Sequence, residues 1–121
     1  MHELSIAMRL VELACEHASP YRDAKVTALH VAIGPLTQVH ESSLRSGFSI
    51  AREGTPIADA ELAIRWVPLV IECSDCGGDY EAKGIQDLRC PRCLGSSTRI
   101  RSGNELDLES IAIEPSERVD A

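Results

Sequence analysis

Apolar residues recur at helical spacing near the start of the chain. Leu4, Ala7 or Met8, Val11, Cys15 and Ala18 fall at three- and four-residue intervals, and Ile6, Leu10 and Leu13 widen the stripe. This spacing predicts a helix over 3–18, ended by Ser19-Pro20, because proline cannot continue the helical hydrogen-bond ladder. The period then shortens to two. Residues 26–33, VTALHVAI, predict a strand with Leu29, Val31 and Ile33 on one face and Ala28, His30 and Ala32 on the other. Gly34-Pro35 turns the chain. Leu44, Phe48 and Ala51 predict a second helix over 38–52, with Gly47 as a weak point inside it, and Gly54-Thr55-Pro56 breaks it. Leu62, Ile64 and Trp66 alternate in a second strand over 61–67, which Pro68 closes. A third strand spans 105–113. Its alternation slips, because Leu106 and Leu108 are out of phase with Ile111 and Ile113, so one extra residue or a sharp twist is expected near Glu109–Ser110. The tail from Glu114 is polar and expected to fray.

Between the second and third strands the pattern changes kind. Cys73, Cys76, Cys90 and Cys93 fall as C-x2-C, thirteen residues, C-x2-C. Each pair suits a tight knuckle with both sulfurs aimed at one centre, and two knuckles supply the four thiolates of a closed tetrahedral zinc site. Gly77, Gly78 and Gly95 provide the conformational freedom for the chain to curl back over a metal. Two disulfides are the plain alternative, disfavoured without a secretion signal. Iron held by four thiolates is the other. A four-cysteine site has no open position, so it is structural and not evidence of catalysis. The segment 71–98 is too small for a core of its own, and metal binding, worth of the order of 10 kcal/mol, is expected to drive its folding.

The expected fold class is therefore α+β: two helices packed on a three-stranded antiparallel sheet, with a four-cysteine zinc-ribbon-like segment inserted between strands two and three. The division is 1–70 with 99–121 as the α/β part and 71–98 as the zinc-binding part. Cys15 lies on the helical stripe and reads as a small buried hydrophobe.

Composition narrows the function. The 121 residues carry 44% hydrophobic but only 3% aromatic side chains, so the core is aliphatic and a base-stacking surface has little to be built from. A net charge of −7 repels phosphate backbones, which disfavours nucleic acid as a partner. The cysteine segment is itself acidic, with Lys83, Arg89 and Arg92 against Glu72, Asp75, Asp79, Glu81 and Asp87. That argues against a basic zinc ribbon docking on transcription or translation machinery. No apolar run reaches the length of a membrane span, and MHELSIAMRL does not read as a secretory signal, so a cytoplasmic protein without a membrane partner is expected. A small zinc enzyme is disfavoured too, since no open-site ligand set, nucleophile–base pair or Gly-rich phosphate loop stands out.

The remaining chemistry lies at the N-terminus. Methionine is retained when residue two is as large as His2. The Met1 α-amine, the His2 amide nitrogen and the imidazole Nδ1 then form fused five- and six-membered chelate rings, to which Glu3 adds an amide nitrogen or its carboxylate. Planar nitrogen donors suit Ni(II) or Cu(II). A solvated chain end is the plain alternative. His17, near a helix end, and His30, on a strand, read as structural or solvated. His40, opening the second helix, is the one histidine retained as an additional nickel ligand.

The N-terminal MHELSIA, the strand exit IGPLTQV, the CSDC…CPRC pair and the closing GNELDLESIAI together resemble the hydrogenase nickel-incorporation family, the HypA/HybF type, over essentially the whole chain. The resemblance implies a nickel metallochaperone, not an enzyme, serving the maturation of [NiFe]-hydrogenase. It implies Ni2+ as cargo at Met1, His2 and Glu3, and structural Zn2+ at Cys73, Cys76, Cys90 and Cys93. The partners it implies are a HypB-type GTPase and the hydrogenase large subunit; a homodimer is also compatible with it. Asn104, where the family more often has a basic residue, and Ala112, where an acid is usual, depart from the pattern.

Overall fold

The computed structural model describes residues 2–21 and 23–115; Met1, Arg22 and residues 116–121 lie outside the described part, including most of the tail expected to fray. The elements are α1 (Glu3–Ala18), β1 (Ala24–Ile33), α2 (Glu41–Ala51), β2 (Glu61–Trp66), β3 (Val70–Glu72), β4 (Asp79–Glu81), β5 (Arg99–Ser102) and β6 (Leu106–Pro115). Single 3-10 turns at Ser19–Tyr21 and Pro35–Thr37 follow α1 and β1. The fold is α+β with two three-stranded sheets, ordered β2-β1-β6 and β4-β3-β5. The three strands predicted from alternation form the first sheet. The second sheet falls between β2 and β6 in the chain, around the cysteines. It is absent from the sequence reading because strands of three or four residues are too short to display a period.

The chain divides into two compact units, Met1–Val31 with Val39–Ile64 and Leu108–Ala121, and Ala32–Gln38 with Arg65–Asp107. In the first unit, α1 buries Glu3, Ala7, Leu10, Val11 and Ala14. The stripe differs from the predicted one: Leu4 and Met8 are 48% and 57% exposed. The reason is the crossing of α1 with α2 at Gly47. A Cβ on Gly47 would lie 3.2 Å from Leu4 Cα and 3.4 Å from Ala7 Cβ, so the absent side chain lets the helices approach along the Glu3–Ala7 side. The residue that weakens α2 as an isolated helix is thus the one its packing requires. Leu44 and Phe48 complete the buried face of α2. Arg45 Nη1 donates to the Leu62 carbonyl at 2.7 Å and Arg52 Nη1 to the Ala60 carbonyl at 2.6 Å, tying α2 to β2 and the residue before it. On β1 the predicted face of Leu29, Val31 and Ile33 is buried, and so are Val26 and Ala32. On β6 Leu108, Ile111 and Ala112 are half-buried while Leu106 and Ile113 are exposed, within one continuous strand.

The second unit has a small core of its own: Leu69, Ile71, Cys73, Tyr80, Ala82 and Cys90, with Leu36 and Leu88 packed against it. β3 is its central strand. It pairs antiparallel with β4 in the register Val70↔Glu81, Ile71↔Tyr80, and with β5 across a bulge between Val70 and Ile71. Gly34 closes on Gly103. Gly34 N–H donates to the Glu105 carbonyl and Leu36 N–H to the Gly103 carbonyl, each at 2.8 Å, and a Cβ on Gly34 would lie 2.1 Å from the Gly103 carbonyl. Two of the four predicted metal ligands therefore belong to the core that surrounds them.

Candidate functional site

The two C-x2-C segments adopt one backbone conformation. In the first, Cys73 N–H donates to the Gly78 carbonyl and Gly77 N–H to the Cys73 carbonyl, both at 2.9 Å. In the second, Cys90 N–H donates to the Gly95 carbonyl at 2.9 Å and Leu94 N–H to the Cys90 carbonyl at 2.8 Å. The residue after each second cysteine turns left-handed, Gly77 at φ 77° and Leu94 at φ 61°. The sequence places glycine correctly for the first turn. In the second the strained position falls on Leu94, one residue before Gly95. The first cysteine of each knuckle is buried and the second exposed.

The four sulfurs converge, with all ligand atoms within 4.8 Å of one another. Cys73 and Cys93 Sγ are 3.6 Å apart. Four sulfurs about 2.3 Å from a tetrahedral zinc lie roughly 3.8 Å apart, so the donors need little movement to hold the ion. All four cysteines are free, in contrast to the disulfide alternative. Backbone amides point at the sulfurs as they would at thiolates: Cys76 N–H to Cys73 Sγ at 3.3 Å and Gly95 N–H to Cys93 Sγ at 3.4 Å. Burial opposes ionisation of Cys90, but the Cys93 and Arg92 amides and the adjacent thiols hold it down at about 6. The Gly95 amide favours the Cys93 thiolate, yet the crowding of Cys76 and Cys73 pushes it up to about 12. Four sulfurs this close cannot all ionise unless a cation compensates them, which is what a bound dication does. With every position taken by sulfur, the centre binds metal and offers no place for a substrate.

The N-terminal candidates lie in the first unit. Met1 is outside the described residues. His2 is the N-cap of α1, exposed, with no side-chain capping bond. Glu3 opens the helix and is only 6% exposed. Its Oε2 accepts the His40 N–H at 3.1 Å. Its carboxyl is held down at about 2, first by the amino terminus and then by that amide. His40, at the N-cap of α2, is thus beside the start of α1, while its side chain is exposed and makes no capping bond. Among the described residues the four cysteines are the one convergent group of three or more His, Cys, Asp or Glu ligand atoms, so His2, Glu3 and His40 do not form one. His17 and His30 are exposed.

The fold and the thiolate cluster define a small two-unit metal-binding protein. The family described as "Hydrogenase/urease nickel incorporation, metallochaperone, hypA" matches residues 1–113, and the chain belongs to that family. It is 41% identical over 111 residues to the hydrogenase maturation factor HypA of Chloroflexus aurantiacus, covering 92% of this chain and 97% of the relative. It is 39% identical over 114 residues to that of a Roseiflexus species, covering 94% and 93%. The solution structure of the Ni metallochaperone HypA from Helicobacter pylori superposes with a TM-score of 0.66 at 29% identity, over 96% of this chain and all of that one. The protein is accordingly a maturation factor of the nickel metallochaperone type and not an enzyme. None of its described helices is long and apolar enough to cross a membrane.

Proposed function

We propose that the chain carries Ni2+ at its N-terminus, held by Met1, His2 and Glu3, and keeps structural Zn2+ at Cys73, Cys76, Cys90 and Cys93. The observation that carries the nickel reading is the anchoring of Glu3. Its carboxylate fastens the first turn of α1 to the start of α2, and the amides at a helix start have no carbonyl four residues back to donate to. The α-amine, the amide nitrogens of His2 and Glu3 and the imidazole of His2 then offer planar nitrogen donors, which suit Ni(II). Such a chelate at a chain end is open to solvent on one side, as a carrier that must hand over its cargo requires. His40, whose backbone amide meets the Glu3 carboxylate, is the further donor in this reading. In this reading residues 1–70 and 99–121 serve nickel and 71–98 serve zinc. Delivery involves a HypB-type GTPase and the hydrogenase large subunit in the cytoplasm, with a homodimer as the carrier's own assembly.

Calorimetric nickel titration tests the assignment. His2→Ala is expected to abolish high-affinity nickel binding and leave one zinc per chain. Acetylation of the α-amine is expected to do the same with His2 intact. Full nickel binding by the acetylated protein would overturn the N-terminal site.

A further inference from the structure

The matching knuckles place two opposite charges in equivalent positions around the sulfurs. Asp75 and Arg92 each precede the second cysteine of a knuckle, in C-S-D-C and C-P-R-C. Each reaches across to the glycine two residues beyond the other knuckle's second cysteine. A Cβ on Gly95 would lie 2.6 Å from Asp75 Oδ2 and 3.3 Å from Cys93 Sγ, so the carboxylate and that sulfur flank the same point. A Cβ on Gly78 would lie 2.9 Å from Arg92 Nη2 and 3.4 Å from its Cζ. Both glycines leave the space their opposite side chain fills. Sequence periodicity cannot show this pairing, since it joins residues from two knuckles through the metal centre.

We infer that Arg92 and Asp75 are opposing outer residues of the cysteine centre, with the Arg92 guanidinium stabilising the metal-loaded tetrathiolate and the Asp75 carboxylate loosening it. The inference rests on the reading of the cluster as a zinc site. Four thiolates on one divalent cation carry a net charge of −2, and a fixed neighbouring charge acts on it directly. A cation lowers the energy of the loaded centre, and an anion raises it. Arg92 is placed accordingly: its guanidinium fills the space over Gly78, two residues beyond Cys76. Asp75 adds negative charge beside Cys93, where a purely stabilising design would have none. Together they set how readily a structural ion leaves.

The test is zinc affinity of the full chain, measured against a chromophoric chelator at fixed pH and low salt. Arg92→Gln is expected to weaken zinc binding roughly threefold, and Arg92→Lys to restore most of it, because the charge is kept. Asp75→Asn is expected to tighten binding by a similar factor. Both effects should shrink at about 1 M salt, where exposed charges are screened. If both neutralisations shift affinity in the same direction, or either leaves it unchanged, the charges have only a structural role and the assignment falls. If the native protein takes up no zinc, the zinc reading falls first and this one with it.

Discussion

At the residue scale the chain carries one conspicuous local conflict. Leu94 is held at φ 61° in the turn where the equivalent residue of the other knuckle is Gly77. A left-handed conformation costs a side-chain-bearing residue about 1–2 kcal/mol, partly offset by the greater freedom glycine has when unfolded. Leu94→Gly is therefore expected to stabilise the zinc-loaded second unit by roughly 0.5–1 kcal/mol, since Leu94 is also 64% exposed and gives up little packing. Gly77→Ala is expected to destabilise it by about 1 kcal/mol, although a Cβ there would meet nothing within 4 Å. Denaturant midpoints of the two zinc-loaded variants check both signs. The sequence shows the knuckles through their cysteines and supplies glycine for the first left-handed turn, but it does not show that the second falls on Leu94.

At the element scale, helix packing and strand charge each support a test. Gly47 lies against the first turn of α1, where Glu3 is anchored. Gly47→Leu has no room without separating the helices. It is expected to cost about 1–3 kcal/mol in thermal or denaturant unfolding, and to weaken nickel binding at the proposed site while zinc content stays at one per chain. In the second sheet, Glu72 of β3 receives Arg99 of β5 at 3.1 Å and pairs also with Arg101, which reaches Asp79 of β4 at 3.4 Å. The hydrogen bond from Arg99 and the charge of Arg101 lower the Glu72 carboxyl from its ordinary 4.5. A carboxyl lowered by folding contributes stability that is present above the unfolded value and is lost as pH falls through the folded one. The native protein is expected to exceed Glu72→Gln in stability above pH 4.5, and the difference to vanish as the solution is acidified below it. An unchanged difference between the neutral and acidic melts would exclude this network as the source.

At the scale of the whole molecule, the two units make different demands. Both helices and the core around Leu29, Leu44 and Phe48 belong to the first, and among the described residues none of its buried apolar side chains is one of the four cysteines. The core of the second contains Cys73 and Cys90. Removing the metal leaves that core with buried thiols and no cation to draw them together. Chelation of zinc is expected to preserve the far-ultraviolet helical signal while residues of β3, β4 and β5 lose amide-exchange protection. Loss of the helical signal on chelation would show that the first unit depends on the metal as well.

The sequence by itself determined the elements that are long enough to repeat. A helix needs several turns and a strand several alternations before a period is visible, and α1, β1, α2, β2 and β6 meet that condition. It also determined the metal centre, because the C-x2-C spacing is a property of one short stretch of chain. Tertiary structure decided what depends on approach between distant residues. The side of α1 that is buried is set by α2 crossing at Gly47. The strands β3, β4 and β5 exist through pairing that no three-residue run can signal. Asp75 and Arg92 face Gly95 and Gly78 only because the knuckles close on one another, and Glu3 meets His40 because two helix starts converge. Periodicity and spacing are local; burial and charge environment come from contacts between segments, and only the folded chain supplies them.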